Sequence, residues 1–369
     1  MHHNETKTPL IRLAKRGVME PWKAWCIRVG SILVALLLGG LVMSIALPEG
    51  SNIFSAYGTI VEGALGKKTA IRQTIKLAVP LLGTALAIAP CFKMRFWNIG
   101  AEGQILMGGF LGSYFAYNFT QLPKPLLLLL MLLAGTVGGA LWALLPAWLK
   151  VRFHANESIT TLMLNYVALK WIQYLAAGPW KDPAASGYPR MPRFEEQAIL
   201  PNLCGVHIGW VIALILVVVV YLFLNYSKKG FEIAIIGESE NTARYAGINI
   251  GRTALIAVCL SGALCGLTGI IQASAVNNEL SSTLANGIGY TAIITTWLSG
   301  LSAPVIVLVC TLFAALTQGA SYIQTAFGIP AAAASVLQAL ILFFVLGSDF
   351  FTKYKFVWQK QTHNAKEEQ

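Results

Sequence analysis

The feature that most constrains this chain is a series of ten apolar runs, several of which approach or exceed the ~20 residues a helix needs to cross a bilayer core. They lie near 29–47, 73–89, 104–119, 125–149, 158–176, 207–226, 254–276, 288–301, 305–325 and 330–347. The third and the eighth are short for a span. Composition agrees: of 369 residues, 56% are hydrophobic and 12% charged, with a mean hydropathy of +0.63. Soluble domains carry roughly twice that share of charge, and a soluble fold could not cover so much apolar surface. The solvent is therefore lipid. The expected fold class is all-α, a polytopic integral membrane protein of about ten transmembrane helices in one bundle.

The net charge of +11 is not the mark of a nucleic-acid binder, because Lys and Arg fall in short clusters between apolar runs rather than on a polar domain. With the N-terminus inside, alternate crossing assigns 18 of the 27 basic residues to cytoplasmic segments and 7 to external ones, leaving Lys76 and Lys170 within spans. Basic residues favour the cytoplasmic side, so both termini are expected there, on a multi-pass protein of the cell inner (cytoplasmic) membrane. The expected organisation is a cytoplasmic arm over 1–28, a transmembrane domain over 29–348 and a cytoplasmic tail over 349–369. The domain carries an external loop at 178–206 and a cytoplasmic loop at 227–253. The basic stretch before the first run leads into an apolar segment too long for a signal-peptide core, which reads as an uncleaved first span. Six scattered cysteines without a CxxC pair read as packing residues, not as a disulfide frame or a metal site.

The polar residues are concentrated in a few places. Between 90 and 109, Pro90, Gly100, Glu102 and Gly103 interrupt apolar sequence soon after Pro80, which predicts a broken or re-entrant segment near 90–105. Irregular backbone at membrane depth is tolerated only where protein covers it or it lines a watery cavity. A carboxylate there is costly, so Glu102 is a candidate functional residue. The competing reading is that Asn98, Glu102 and Gln104 tie broken helix ends together. A second cluster sets Asn156, Glu157, Ser158, Thr161 and Asn165 at the head of the fifth span, where helical spacing puts Ser158, Thr161 and Asn165 on one inward face. A third sets Asn286, Gly287, Gly289 and Tyr290 at the start of the eighth. Asn98, Glu102, Gln104, Asn165 and Tyr290 are the candidate lining of a path for a small neutral solute. Glycines recur at 135, 138 and 139 and at 262, 266 and 269, where helices can approach closely. In the cytoplasmic loop, Ser239 is expected to cap a short helix that Gly247 stops. Such a helix fits a groove on a partner protein.

Absent motifs narrow the function. No G-x-x-x-x-G-K-[ST] phosphate loop exists, and GALGKKT at 63–69 has the wrong spacing, so ATP is not bound that way. No H-E-x-x-H or G-x-S-x-G is present, which leaves a membrane enzyme without support. No Arg-rich voltage-sensing span or paired Asp-His relay appears either.

Three segments, WNIGAEGQILMGG at 97–109, NESITTLMLNYVAL at 156–169 and IGESENTARYAGINIGRTALIAVCLSGALCGLTG at 236–269, together resemble the permease subunits of bacterial nucleoside ABC importers. These fall within the branched-chain amino-acid and ribose permease superfamily, and the resemblance covers about 71–347. It implies a permease that moves a nucleoside, a purine or a relative of one, into the cell by alternating access. The implied partners are an ABC ATPase subunit that holds the ATP, a second homologous permease and a lipid-anchored substrate-binding protein. No cofactor is expected on this chain. The loop helix would then be the coupling element, with Glu238, Asn241, Arg244, Tyr245 and Gly247 as its ATPase contacts. The departures, Ser158-Ile159 after Glu157 and TTWLSGLSAP after Ile294, bear on subfamily and substrate. The alternatives are a permease for a simple sugar such as ribose and a secondary carrier using Glu102 or Glu157 as a proton site.

Overall fold

A computed structural model describes residues 11–15, 20–46, 53–185, 187–328 and 354–358, together with 336, 339–340, 343–344, 347–348 and 350. Most of the tenth apolar run, of the 1–28 arm's first half and of the 349–369 tail lies outside the described residues. In chain order the elements are β1 (Ile11–Lys15), α1 (Pro21–Ala46), α2 (Ile53–Val61), α3 (Lys68–Lys93), α4 (Ala101–Asn118), α5 (Lys124–Phe153), α6 (Glu157–Ala177), β2 (Asn202–Leu203), β3 (Val206–His207), α7 (Gly209–Tyr226), α8 (Lys228–Glu238), α9 (Glu240–Tyr245), α10 (Ile250–Gln272), α11 (Ile288–Leu298), α12 (Ala303–Phe327) and β4 (Tyr354–Trp358). The chain divides into two compact units, Met1–Thr59 with Ala320–Gln369, and Ile60–Gly319.

The protein is mostly helical, as the apolar runs require, with two differences from the expected all-α bundle of ten spans. Among the described residues, five helical stretches are long and apolar enough to cross a membrane: Lys68–Lys93, Lys124–Phe153, Gly209–Tyr226, Ile250–Asn277 and Ala303–Phe327. α4 and α6 have the length but carry several polar residues each, and α11 has only 11 residues. The second difference is that arm and tail are not merely polar ends: in the first unit β1 pairs antiparallel with β4, Leu13 opposite Phe356. The segment 48–72 also holds more than a turn, since α2 runs into a π-helical turn, Glu62–Gly66.

The second unit is built on a seam of bare backbone. A Cβ placed on Gly108 of α4 would lie 2.1 Å from the Cα of Gly266 on α10, and one on Gly139 of α5 would lie 2.1 Å from the Gly262 carbonyl oxygen. Without a hydrophobic drive between helices in lipid, such backbone contact supplies the dispersion attraction that holds them. α3 runs through both Pro80 and Pro90, and within the 90–105 window the chain leaves the helix at 94–100. Pro90 stands three residues before the last residue of α3, where little helix follows it, and the chain leaves the helix only at 94.

Contacts sort the segment ends into two groups. At one end, Lys93 Nζ donates to the Leu224 carbonyl at 3.2 Å, Lys150 pairs with Glu157 at 2.8 Å, and Thr253 Oγ1 donates to Glu232 at 2.7 Å. At the other, Lys124 Nζ donates to the Glu196 carbonyl at 3.0 Å and the Leu200 N–H to Ser274 Oγ at 3.1 Å. The segment 178–206 is thus not a free loop. Met191, Phe194, Ala198 and Leu200 are buried, and Tyr117 OH donates to the Pro192 carbonyl at 2.9 Å.

Candidate functional site

Two non-helical stretches of the second unit meet at Glu102, and each is partly covered by protein. The first, 94–100, joins α3 to α4. Asn98 lies on it, fully buried, and its Nδ2 donates to Ser261 Oγ at 3.0 Å. Ser261 is near the midpoint of α10, so the break is drawn in from the helix ends toward membrane depth. The second, 278–287, runs along α4: the Leu280 N–H donates to Tyr117 OH at 3.4 Å near one end, and the Gly287 N–H reaches Glu102 at the other. Leu280, Leu284 and Ala285 are buried along the way. Polar backbone at this depth must find partners within the protein.

Those partners are the residues singled out from the sequence. Gln104 and Asn98 exchange amide hydrogen bonds, Asn98 Nδ2 donating to Gln104 Oε1 at 3.2 Å and Gln104 Nε2 to Asn98 Oδ1 at 3.0 Å. The Gly100 N–H also donates to Asn98 Oδ1, at 3.1 Å. From α6, Thr161 Oγ1 accepts the Ile99 N–H at 3.2 Å. Asn165 Oδ1 accepts the Gly103 N–H at 2.8 Å, and its Nδ2 donates to the Ile99 carbonyl at 2.9 Å. α6 is set in place by Asn156, whose side chain accepts the Ser158 and Ile159 N–H groups as an N-cap. Thr161 and Asn165 are buried on the inward face as the spacing predicts, whereas Ser158 is only half-buried.

Glu102 joins the two irregular stretches. Its Oε1 accepts the Gly287 N–H at 2.6 Å and its Oε2 the Gly289 N–H at 2.7 Å. The carboxylate, itself in the first turn of α4, therefore caps the N-terminus of α11, and both helix dipoles favour a negative charge there. Gly287, with φ +80°, supplies the turn that aims these donors. Tyr290, one turn into α11, is partly exposed, and its hydroxyl accepts from Asn165 Nδ2 at 3.4 Å. All five candidate pathway residues are thus brought into one connected cluster, but Asn98, Gln104 and Glu102 have their polar atoms engaged by the protein itself.

Sequence reasoning missed the aromatic flank of this cluster. Trp97, on the break, stacks on Trp297 of α11 with ring centroids 5.5 Å apart, and Phe92 packs against both. Both indoles remain partly exposed, and Tyr290 stands seven residues before Trp297, on the same face of α11. Trp142 Nε1, beside Gly103, has no acceptor. The signal available in the sequence was the position of Trp97 within the broken segment; nothing there linked it to Trp297.

The second set of candidates lies at the Lys93 end. Ser239 Oγ accepts the Thr242 N–H at 3.2 Å, α9 ends at Tyr245, and Gly247 takes φ +74° to stop it. Glu238, Asn241, Arg244 and Tyr245 are exposed, Tyr245 to 94%, and Arg244 has no ion pair among the described residues. Only Ala243 of α9 is buried. Its neighbour α8 is anchored: Glu232 accepts from Lys229 Nζ at 2.6 Å and from Thr253 Oγ1, and these bonds hold its carboxyl below the usual glutamate range. Gly237 of α8 lies directly on the end of α3, where an added Cβ would meet the Lys93 carbonyl oxygen at 1.9 Å. Among the described residues no group of His, Cys, Asp and Glu is placed to hold a metal ion.

Residues 70–346 match the family described as branched-chain amino acid transport system / permease component. A glucose ABC transporter permease protein of Haloferax volcanii is 34% identical over 358 residues, covering 94% of this chain and 93% of the relative. A guanosine ABC transporter permease protein of Bacillus subtilis is 29% identical, covering 86% and 92%. A nucleoside ABC transporter permease protein of Lactococcus lactis is 30% identical, covering 85% and 88%.

Proposed function

The chain belongs to the branched-chain amino acid transport system permease family, a transporter component and not an enzyme, and on that premise we propose that it carries a nucleoside, purine or related, across the cell membrane by alternating access. The observation that carries a transport reading is the meeting of two partly covered, non-helical stretches at Glu102, an arrangement of the kind from which discontinuous helices build solute sites in transporters. The solute path runs along the partly exposed face of Tyr290, Trp297 and Trp97, where a planar ring stacks. Asn98, Glu102, Gln104 and Asn165 hold that face in place. The guanosine and nucleoside permeases among the relatives support the nucleoside reading.

ATP binds and is hydrolysed on a separate ATPase subunit, which grips α9 through Glu238, Asn241, Arg244 and Tyr245, with Gly247 setting the turn. Closure of the nucleotide sites passes from α9 to α8, and through the Gly237–Lys93 contact to the break that carries Trp97 and Asn98. A second homologous permease and a lipid-anchored substrate-binding protein complete the importer. The spans number about ten, namely α1, α3, α4, α5, α6, α7, α10, α11 and α12 with 330–347. The β1–β4 pairing favours both termini on one side, and the basic-residue bias makes that side the cytoplasm.

A sugar is the second reading, favoured by the 34% identity to a glucose permease and by the ability of an indole face to pack on a sugar ring as well. The complex of this chain with its ATPase, reconstituted in liposomes, is expected to take up guanosine with ATP, and Trp297→Ala is expected to lower that uptake. Uptake of glucose but not guanosine would replace the first reading by the second. Uptake by this chain without any ATPase would establish a secondary carrier instead.

A further inference from the structure

Three cations stand in a row at the start of α3. Lys68, Arg72 and Lys76 are spaced by four residues and so share one helical face. Lys68 and Arg72 are exposed and Lys76 is half-buried. None of the three takes part in an ion pair or side-chain hydrogen bond among the described residues. Lys68 and Arg72 open onto a cavity of about 310 Å³ whose other walls are mainly apolar: Ile71, Ile75, Leu203, Val206 and Trp210. No carboxylate lines it.

The short β2–β3 hairpin is shaped around the guanidinium. Gly205, in its turn with φ +82°, leaves Arg72 room that a Cβ would take, since that atom would lie 2.5 Å from Arg72 Nε and Cζ. Behind the hairpin His207 is fully buried, and neither ring nitrogen is hydrogen-bonded among the described residues.

We propose that this cavity binds an anionic phospholipid, its phosphate on Lys68 and Arg72 with Lys76 beneath, and its acyl chain against Ile71, Ile75 and Trp210. The cations mark the point where an apolar span begins, which is where headgroups lie. A basic pocket at the edge of a membrane helix suits a charged headgroup. The apolar wall is what separates a lipid from other anions: free phosphate gains nothing from it, whereas a chain of methylenes does.

The test uses the full-length chain, delipidated in a neutral detergent, followed by native mass spectrometry and thermal melting. Phosphatidylglycerol is expected to remain bound as a discrete adduct and to raise the melting temperature, with phosphatidylcholine and inorganic phosphate each having little effect. Neutralising the row as Lys68→Gln, Arg72→Gln and Lys76→Gln should weaken phosphatidylglycerol binding roughly fivefold for each cation removed. Arg72→Lys, which keeps the charge, should retain the adduct and so separates loss of charge from loss of fold. Equal stabilisation by phosphatidylcholine, equal stabilisation by phosphate alone, or an undiminished phosphatidylglycerol adduct in the triple variant would each overturn the proposal.

Discussion

The buried cluster around Glu102 and the exposed helix α9 are both polar islands in an apolar chain, yet they use their polarity in opposite directions. Around Glu102 the side chains turn inward: both carboxylate oxygens, the Asn98 and Asn165 amides and the Thr161 hydroxyl answer backbone N–H and C=O groups that the breaks at 94–100 and 278–287 set free, and Gln104 ties Asn98 in place. On α9, the Arg244 and Tyr245 side chains turn outward and make no hydrogen bond or ion pair among the described residues. The same residue types are structural where they are enclosed and available to a partner where they are not. A substitution in the cluster should therefore be felt first in stability, and one on α9 first in association.

The strongest test of that contrast is Glu102→Ala. It strands the Gly287 and Gly289 N–H groups, and loss of two charge-assisted bonds should cost roughly 3 kcal/mol, seen as a lowered melting temperature and reduced recovery of the complex. Glu102→Gln keeps an acceptor and should recover part of that loss. If the alanine variant melts as the native chain does and fails only in uptake, the cluster is not structural and the contrast breaks.

Gly237→Ala should come next. The added methyl would press on the Lys93 carbonyl oxygen, and overpacking of this kind costs about 2 kcal/mol. Its informative readout is the ratio of solute uptake to ATP hydrolysis in the reconstituted complex, expected to fall if motion passes from α8 to the break. An unchanged ratio with a lowered melting temperature would limit Gly237 to packing.

A smaller effect is expected at Glu232. Its folded-state pKa is depressed by the Lys229 bond and then the Thr253 bond, so its stabilising contribution is present above the unfolded glutamate value of about 4.3 and is lost as pH falls through the lower folded value. Melting curves of the native chain and of Glu232→Gln should differ at neutral pH and converge in acid. Parallel curves at all pH values would show that the carboxylate is not ionised in that pairing.

Smallest in stability is Arg244→Glu, expected within about 0.5 kcal/mol of the native chain because the site is an exposed surface. Copurification with the ATPase should nonetheless fall clearly. Normal copurification would remove Arg244 from the coupling surface and take away the outward half of the contrast.

What could be read from the sequence follows the same division. The apolar runs, the break before α4, the Ser239 cap and the Gly247 stop were legible because each rests on local chemistry: run length, helix-breaking residues, a side-chain oxygen three residues before an N–H. The meeting of Glu102 with Gly287 and Gly289 was not, since the partners are 185 and 187 residues apart and only tertiary packing brings them together. For the same reason the sequence left open whether Glu102 is a tie or a charge in the path. The Trp97–Trp297 stack lies 200 positions apart and was likewise invisible. Pro90 marked the region of the break but not the residue where α3 ends, because a proline marks a lost N–H and does not say whether neighbouring helices compensate for it.

The glycine seam limits how such a protein can move. Where α4, α5 and α10 meet backbone to backbone at Gly108, Gly139, Gly262 and Gly266, no side chains stand between them to repack, so relative sliding of these three helices would drive peptide groups into one another. On this packing they are expected to turn together as one solid piece, a hub. Any change of shape during a transport cycle is therefore handed to the rim, to the short helix α11 and the two non-helical stretches that lie against the hub, and a probe on the rim should report motion that a pair of probes across the seam never sees.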